Sequence, residues 1–262
     1  MANEDVLEVV RDHLKPGDVA VVTGASRGFG RAIAKRLAAG GAQVACWDVL
    51  DEEGAETVDL CNQAGGQARF YNVDMGEPDQ VVAAAQRVVK EMGVPYGVVN
   101  NAGIHPRAPL LDAPLDLWER VIRVNLTGTF LCAREFVKHM SQKKRGSIVN
   151  LGSGRAIEGA VNGAHYAASK AGIVNLTKTM AHEWATYQIR VNAVIPGVSL
   201  THQPLEVTNI DELMARGSKV PMGRIGHPDD IAGLVAFYMG PDSSNMTGQS
   251  VAINGGQIML PY

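Results

Sequence analysis

The sequence predicts an α/β protein built on a doubly wound, Rossmann-like parallel sheet of seven strands with helices on both faces. Short apolar runs rich in Val and Ile alternate along the chain with longer segments of helical periodicity. The runs are apolar throughout, as expected for parallel strands that are covered on both sides. A glycine-rich turn follows the first run, and no linker or repeat divides the chain, so a single domain is predicted.

The predicted strands are the runs in which β-branched and aromatic residues concentrate between turn residues. They cover Val19–Val22, Ala42–Trp47, Ala68–Val73, Tyr96–Val99, Ser147–Leu151, Ile189–Val194 and Ser250–Ile253. The predicted helices are the longer segments whose apolar residues recur three and four positions apart. They cover Arg31–Ala39, Glu52–Ala64, Asp79–Glu91, Leu115–Met140, Ala164–Ala185 and Asp229–Tyr238.

Two segments lie outside this alternation. Residues 1–17 carry Val6, Val9, Val10 and Leu14 at helical spacing, which predicts a short helical extension before a domain at 18–262. The stretch 201–224 is predicted to form a mobile lid over an apolar substrate. Its apolar residues are Leu205, Val207, Met214 and Met222.

Composition excludes several classes of protein. The 262 residues are 46% hydrophobic and 19% charged, and the net charge of -3 offers no basic surface for nucleic acid or an anionic membrane. Cys46, Cys61 and Cys132 are widely spaced, which argues against a disulfide framework and a zinc site. No His, Asp and Glu cluster has metal-ligand spacing, so no catalytic metal is expected. The N-terminus lacks the basic start and apolar run of a signal peptide, so a cytoplasmic location is predicted.

The turn Thr23–Gly30, with sequence TGASRGFG, follows the first strand and opens the first helix. Gly24, Gly28 and Gly30 allow a tight turn and a close approach to a pyrophosphate. The helix N-terminus adds unpaired N–H groups and a favourable dipole. The sequence therefore predicts a dinucleotide-binding turn, a signal that the strand–turn–helix context strengthens.

Two residues near this turn favour different cofactors. Asp48 ends the second strand, where a carboxylate can accept hydrogen bonds from a ribose 2′-hydroxyl and repel a 2′-phosphate. Arg27 could instead pair with a 2′-phosphate. Because repulsion by Asp48 would exclude a 2′-phosphate directly, we predict NAD in preference to NADP. Asp48 could alternatively cap a turn, and Arg27 could be a solvated surface residue.

Polar residues also follow the third and fourth strands, at the sheet edge where ligands bind in this architecture. Asp74 could accept a hydrogen bond from an adenine amino group, with Met75 against the ring, or Asp74 could cap the next helix. The sequence Asn101-Ala102-Gly103 suits a close backbone approach to a cofactor, although tight turns need the same residues.

Tyr166 and Lys170 stand four positions apart within a predicted helix, so their side chains share one face. A fixed cation favours the phenolate and would move the tyrosine pKa toward neutral pH. The pair is thus a candidate acid/base centre. The same spacing is common in helices that have no catalytic role, so the pair by itself decides nothing.

Together these features resemble the short-chain dehydrogenase/reductase family from about Val19 to Gly256. The matching motifs are the turn 23–30, Asn-Asn-Ala-Gly at 100–103, Asn125, Ser153, the Tyr166–Lys170 pair and Pro-Gly-x-x-x-Thr at 196–201. One departure is Gly152, which stands before Ser153 where many relatives carry a serine.

The resemblance implies a catalytic tetrad of Asn125, Ser153, Tyr166 and Lys170. Tyr166 would exchange a proton with the substrate oxygen, and Ser153 would hydrogen-bond that oxygen. Lys170 would lower the pKa of Tyr166 and bind the nicotinamide ribose, and Asn125 would hold a water leading from the lysine. Without the family, Asn125 would be read as a surface residue. The implied cofactor-binding residues are Gly24, Ser26, Arg27, Gly28, Phe29, Gly30, Asp48, Asp74, Met75, Asn101, Ala102, Gly103, Tyr166, Lys170, Pro196, Gly197, Ser199 and Thr201.

The candidate substrate residues are Ser153, Arg155 and His105. Arg155 could pair with a substrate carboxylate, but a surface position is the better expectation. His105 and His165 are expected to be satisfied or solvated, since neither has a visible partner. The family resemblance also implies a homo-oligomer, a dimer or tetramer formed through the helices 115–140 and 164–185.

Three functions remain open at this stage. The favoured one is an NAD-dependent oxidoreductase that interconverts a secondary alcohol and a ketone. The second is an NADPH-dependent ketoreductase acting on a 3-oxoacyl thioester. The third is a non-catalytic nucleotide-binding subunit, against which the four tetrad residues argue.

Overall fold

The protein is described from a computed structural model, which covers residues 13–201 and 209–259. One parallel sheet holds seven strands in the order β3-β2-β1-β4-β5-β6-β7. The strands are β1 Val19–Thr23, β2 Gln43–Asp48, β3 Gln67–Asn72, β4 Gly97–Asn100, β5 Gly146–Leu151, β6 Ile189–Pro196 and β7 Ser250–Ile253. The predicted doubly wound fold is confirmed.

Helices cover both faces of the sheet. Their bounds are α1 Gly28–Ala39, α2 Asp51–Gln63, α3 Pro78–Glu91, α4 Leu115–Ile122, α5 Gly128–Lys143, α6 Arg155–Glu158, α7 Ala164–Trp184, α8 Ile210–Gly217 and α9 Pro228–Met239. Buried residues of α1, α2 and α9 pack on one face, and those of α3, α5 and α7 pack on the other. Because both faces are covered, all of β1, β4 and β5 is buried, which accounts for their continuous apolar character.

The strand order reverses between β1 and β4, which are hydrogen-bonded neighbours. In a parallel open sheet the crevice outside the carboxyl ends at this reversal is the usual ligand site. The segments after β1, β2, β4, β5 and β6 therefore meet at one edge, although they are far apart in sequence.

A buried polar chain fixes α7 against the centre of the sheet. Asn100 donates to Asn150 at 2.9 Å, and Asn150 donates to Thr177 of α7 at 2.9 Å. All three side chains are buried, where a satisfied hydrogen bond is strong and a lost partner is costly. This chain sets the position of α7 and of the residues that its first turns carry.

The predicted helix Leu115–Met140 is wrong in one respect, because it is not a regular α-helix. It consists of α4, a π-helical segment Arg123–Thr127, and α5. One extra residue is accommodated in this π turn, a feature that apolar periodicity does not reveal and that is frequent at functional sites. The sequence also missed the helices α6 and α8, which are short.

Two predicted features fall wholly or partly outside the described residues. The expected N-terminal helix lies outside the description over residues 1–12. The expected lid lies outside it over residues 202–208. Among the described residues, no helix has both the length and the apolar character needed to cross a bilayer.

Candidate active site

The glycine-rich turn between β1 and α1 requires each of its three glycines. Gly24 and Gly28 have φ angles of +64° and +51°, in the left-handed region where L side chains are strained. Gly30 is needed for a different reason. A Cβ at Gly30 would collide with the Gly24 carbonyl oxygen and lie 2.7 Å from Asn101 Nδ2.

The loop after β4 locks this turn in place. Asn101 Nδ2 donates to the carbonyl oxygens of Thr23 and Gly24 at 2.9 and 3.0 Å. The backbone N–H groups of Asn101 and Ala102 both donate to Thr23 Oγ1 at 3.0 Å. The two loops at the reversal of strand order therefore form one rigid unit.

This unit fits a dinucleotide. Arg27 at the N-cap of α1 makes no side-chain capping bond, so the N–H groups of the first turn stay available to an anion. The glycines leave the backbone uncovered where a pyrophosphate would approach. Phe29 is partly buried and packs into the core from the start of α1, which anchors the helix.

Asp48 lies at the end of β2 and faces the turn. Its Oδ2 accepts from the Ser26 N–H at 2.9 Å, and its Oδ1 accepts from the Val49 N–H at 2.8 Å. Both expected roles are therefore compatible, since the carboxylate caps a turn and also stands beside the cofactor loop. The carboxylate is fixed in orientation by these bonds.

Arg27 does not stand free for a phosphate. It forms an ion pair and hydrogen bond with Glu53 of α2. Arg27 in turn lowers the pKa of Glu53. The guanidinium is thus already matched by a carboxylate on the neighbouring helix.

Asp74 and Met75 are also engaged within the protein. Asp74 pairs with Arg120 at 2.7 Å and accepts from the Gly76 N–H at 2.7 Å, which resembles the capping role. Met75 is 6% exposed and lies in the core against Gly128. A contact of either side chain with adenine stays a prediction.

The segment after β6 closes the other side of the crevice. Gly197 lies against Asn254, and a Cβ there would approach Asn254 Cβ to 2.6 Å, so this close approach requires glycine. Ser199 is buried and donates to the Gly197 carbonyl at 3.1 Å. Thr201 lies close to the glycine-rich turn on the other side of the crevice. A Cβ atom at Gly28 would lie 3.3 Å from the Thr201 side chain. Pro196 ends β6 and leads into this crossing.

Ser153 and Tyr166 meet at the same edge. Ser153 follows β5, Tyr166 lies in the first turn of α7, and the Ser153 hydroxyl lies near enough to the phenol to lower its pKa. Tyr166 is 8% exposed, and the imidazole ring of His105 stacks on its phenol ring with 3.9 Å between centroids. Ser153 Oγ also accepts from the Arg155 N–H at 3.2 Å, which leaves the serine proton free to donate.

Lys170 lies one turn further along α7, with Nζ 5.7 Å from the Tyr166 ring centroid. Its ammonium is buried and donates to the Leu151 carbonyl at 2.7 Å. Gly103 leaves space before it, because a side chain there would lie 3.5 Å from Nζ. Burial lowers the pKa of Lys170 to about 8.

The expectation that Lys170 lowers the pKa of Tyr166 stays a prediction, and the largest influence on this pKa in the structure is burial. Burial raises the pKa of Tyr166, and the groups that oppose this rise are the Ser153 hydroxyl, Arg155 and Arg107. Burial deprives the phenolate of hydration, which favours the neutral phenol.

Asn125 lies in the π segment and is fully buried, so the reading as a surface residue is wrong. Its Oδ1 accepts from the Ile104 N–H at 2.9 Å, and its Nδ2 donates to the Ile104 carbonyl and to Ser169 Oγ at 3.0 Å. Ser169 donates to the Tyr166 carbonyl at 2.7 Å. Asn125 thus connects the loop after β4 to the helix that carries Tyr166 and Lys170.

The expectation that His105 and His165 are satisfied or solvated fails at one nitrogen of each ring. The Nε2 atoms of both rings are buried and have no partner among the described residues. His165 Nδ1 accepts from the Tyr166 N–H at 2.7 Å, so its ring is fixed by the first turn of α7. Both rings are held by the packing around Tyr166, which no local pattern in the sequence indicates.

Arg155 agrees with the expectation of a surface position, because its side chain is 48% exposed and pairs with Glu158 at 3.4 Å. Sequence reasoning missed Ser169, Arg107 and Ile258. Ile258 packs against Gly154, beside the serine. The sole signal for Arg107 was its place two residues after His105. Within the described ranges, no three His, Cys, Asp or Glu side chains converge as metal ligands.

The His105 environment predicts a pH dependence of stability. Burial, followed by the charge of Arg107, lowers the pKa of His105 to about 4, whereas an unfolded histidine titrates near 6.5. The unfolded state therefore binds more protons between these values. The neutral ring contributes stability that is complete above pH 6.5 and is lost as the pH falls to about 4.

His105→Phe keeps a stacked ring and removes this titration. We expect the free energy of unfolding of the unmodified protein to fall more steeply between pH 6.5 and 4 than that of the variant. Urea unfolding across this range measures the two slopes. The exposed His182 provides the control, because His182→Gln should leave the slope unchanged. Equal slopes in the protein and in His105→Phe would contradict the prediction.

Comparison with known proteins agrees with this geometry. Residues 24–257 match a family model described as enoyl-(acyl carrier protein) reductase. The chain is 39% identical to cis-4-hydroxycyclohexanecarboxylate dehydrogenase of Sinomonas cyclohexanicum, over 91% of this chain and 95% of that protein. It is 35% identical to a 3-oxoacyl-(acyl-carrier-protein) reductase of Vibrio cholerae, over 93% and 98% of the two chains.

The fold is likewise shared. The crystal structure of an NAD⁺-bound xylitol dehydrogenase superposes with a TM-score of 0.85 at 34% identity, covering 92% of this chain and 98% of the other. The similarity spans the dinucleotide turn, the Ser153–Tyr166 pair and the segment after β6 within one alignment. The chain belongs to the short-chain dehydrogenase/reductase family of oxidoreductases.

Proposed function

We propose that this oxidoreductase is an NAD-preferring dehydrogenase that interconverts a secondary alcohol and the corresponding ketone. The observation that carries the proposal is that Ser153 and Tyr166 lie together at the carboxyl edge of the sheet, with the buried Lys170 ammonium 5.7 Å from the Tyr166 ring centroid. A proton donor, a second donor for the same oxygen and a cation are thus gathered at the ligand edge of the sheet.

Each residue has a separate task in the proposed reaction. Tyr166 is held as a neutral phenol by burial, so it is ready to give its proton to a carbonyl oxygen during reduction. The Ser153 hydroxyl donates to the same oxygen as negative charge develops there. In the oxidation direction the same phenol oxygen must take the alcohol proton, and the nearby cations stabilise the phenolate that this requires.

Lys170 and Asn125 support this centre. Lys170 can reach the open space in front of Gly103, where it would bind a nicotinamide ribose. Asn125 keeps the Ile104 loop and α7 in register. The bound nicotinamide would supply the hydride chemistry, and the protein supplies orientation and the proton.

The preference for NAD rests on Asp48 and Glu53. The Asp48 carboxylate is fixed beside the turn, where it would repel a 2′-phosphate. Glu53 holds Arg27, the cation that would otherwise neutralise that phosphate. The NAD⁺-bound state of the xylitol dehydrogenase similar to this chain supports the same choice.

A pair of substitutions tests this preference. Asp48→Ser should remove the repulsion and lower the ratio of kcat/KM for NAD to that for NADP by at least about tenfold, or ~1.4 kcal/mol. Adding Glu53→Gln should lower the ratio further, because Arg27 is released. Glu53→Gln alone is the matched control and should change the ratio less than Asp48→Ser. An unchanged NAD/NADP ratio of kcat/KM in the double variant would contradict the roles of Asp48 and Glu53 in the cofactor preference.

The alternative function is an NADPH-dependent reduction of 3-oxoacyl thioesters. The similarity to the Vibrio cholerae reductase favours it. Initial rates with NAD and NADP, measured on cyclic secondary alcohols and on acetoacetyl-CoA, separate the two functions. NADP-linked turnover of the thioester alone would favour the alternative. Turnover of secondary alcohols with NAD would support the proposal. The similarity to the Sinomonas dehydrogenase, whose name specifies a secondary alcohol, favours this outcome.

We also propose a cytoplasmic homo-oligomer that assembles through α5 and α7. Phe130 is 37% exposed and lies with Leu126 and Leu176 around a shallow depression between these helices. Leu131, Phe136 and Ile173 are buried within the chain and serve its own core. Light scattering on the purified protein, compared with Phe130→Glu, tests this assembly.

A further inference from the structure

Arg107 and Arg155 lie on two loops at the rim of the candidate catalytic centre. Arg155 is the second residue after Ser153, and its N–H donates to the serine Oγ at 3.2 Å. Arg107 is the second residue after His105, whose ring stacks on Tyr166. Each of these two loops therefore carries an arginine two positions along the chain from a residue of the candidate catalytic centre.

The two loops are joined to each other. The Ala108 N–H donates to the Asn162 carbonyl at 2.9 Å, and Arg107 Nη1 donates to the Val161 carbonyl at 3.3 Å. The segment with Val161 and Asn162 leads from α6, which begins at Arg155, to α7, which carries Tyr166. Both guanidinium groups thus belong to one continuous rim.

The charge on this rim is incompletely matched. Arg107 has no carboxylate within ion-pair distance among the described residues. Its guanidinium donates a hydrogen bond to the Val161 carbonyl oxygen. Arg155 pairs with Glu158 at 3.4 Å, with both side chains about half exposed, which is a weak, replaceable surface contact. By contrast, Arg120 is held by Asp74 at 2.7 Å.

The field of the two arginines reaches the reacting groups. Both act to lower the pKa of Tyr166. After burial, the charges that lower the pKa of His105 are all cationic groups, with Arg107 first and Arg155 and Lys170 among them. A negatively charged group bound between these side chains would be attracted by both arginines, and it would compete with Glu158 for Arg155.

Exposed apolar side chains lie on the same rim as the arginines. Ile157 and Val161 are 43% and 85% exposed, and both lie in the rim segment 155–163. An apolar ligand body would cover them, and guanidinium groups bind carboxylates in paired, charge-assisted hydrogen bonds. The rim is therefore matched to a ligand that is apolar along its length and anionic at its end.

We infer that Arg107 and Arg155 form a carboxylate subsite, and that the preferred substrates are hydroxy acids and keto acids in which an apolar body separates the reacting carbon from the carboxylate. This inference rests on the proposed function and names its substrate class. The subsite holds the carboxylate and takes no part in the proton or hydride transfer.

The test compares two ketones of nearly the same shape, one with a charged carboxylate and one with a neutral carboxamide. NADH-dependent reduction of 4-oxocyclohexanecarboxylate should have a kcat/KM at least about tenfold above that of 4-oxocyclohexanecarboxamide, as expected for a charged hydrogen bond. Arg107→Gln and Arg155→Gln should each reduce this ratio, mainly through KM for the acid, and the double variant should bring it near one. Arg155→Lys should restore part of the ratio, and added salt should lower it.

Arg69→Gln is the matched control, since Arg69 lies on β3 and pairs with Glu91 at 3.8 Å, away from this rim. Equal kcat/KM values for acid and amide in the unmodified protein would overturn the subsite and leave the proposed function standing. A preference for acetoacetyl-CoA over the acid would overturn it as well.

Failure of the proposed function is distinguishable, because then no secondary alcohol or ketone is turned over with NAD(H). The subsite still has a readout in that case. Calorimetric binding of the non-reacting cyclohexanecarboxylate should be tighter than that of cyclohexanecarboxamide, and the double variant should abolish the difference. No difference in binding would overturn the subsite independently of turnover.

Discussion

Replacing Tyr166 by phenylalanine is expected to reduce kcat by at least about 10³-fold, within the 10²–10⁴-fold range that a positioned proton donor contributes. The substitution removes one oxygen and keeps the ring that stacks on His105. In the proposed reaction Tyr166 transfers the proton and Ser153 only hydrogen-bonds the substrate oxygen, so the variant lacks the group that performs this step. Cofactor binding should persist, because the glycine-rich turn is untouched.

Two measurements separate a lost proton donor from a lost fold. The dissociation constant for NADH, followed by fluorescence, should stay within about twofold, far below the tenfold that 1.4 kcal/mol would produce. Tyr187→Phe is the matched control, since Tyr187 is 43% exposed and lies beyond the end of α7, and it should retain full activity. A kcat of Tyr166→Phe above one tenth of that of the unmodified protein would contradict the assignment of Tyr166 as the proton donor.

Gly30→Ala is expected to have the second large effect, on cofactor binding and on stability together. The added methyl group would overlap the Gly24 carbonyl oxygen and press on Asn101 Nδ2. Neither can yield easily, because Asn101 is bonded to two carbonyl oxygens of the same turn. The start of α1 must therefore move away from the turn, which opens the cradle and costs about 1–3 kcal/mol of stability or more.

Gly233→Ala is the control for this variant. Gly233 lies within α9, and a Cβ there would meet nothing within 4 Å. Because alanine favours the helix over glycine, stability should rise by about 0.5–1 kcal/mol and activity should be unchanged. Calorimetric binding of NADH and urea unfolding measure both variants. Gly30→Ala with the affinity and stability of the unmodified protein would contradict a close approach at this residue.

Part of the candidate site could be proposed from local motifs. The glycines of the 23–30 turn stand at short separations between a strand and a helix, whereas the Tyr166–Lys170 spacing gained its meaning only from the motifs that accompany it. The meaning of Asn125 was not predictable from its neighbours, since a polar residue inside a helical pattern usually faces water. The structure buries it because a π turn rotates it toward the Ile104 loop and Ser169.

Charge effects were the least predictable part of the site. The sequence places Lys170 near Tyr166, and the expected consequence was a lower tyrosine pKa. The structure directs the ammonium to the Leu151 carbonyl and buries the phenol, so the pKa of Tyr166 rises. The groups that oppose this rise include Arg107, which the sequence separates from Tyr166 by more than fifty positions. Electrostatic outcomes depend on three-dimensional distances and on burial, and neither can be read from spacing along the chain.

The sequence by itself determined the class of fold and the family, because apolar runs, helical periodicity and glycine positions are local consequences of backbone geometry and burial. Only the tertiary structure decided which residues share the catalytic edge and how they act on one another. The contacts of His105 with Tyr166, of Glu53 with Arg27 and of Arg107 with Val161 join separate loops and helices. The physical reason is that parallel strands bring their carboxyl ends together whatever the length of chain between them.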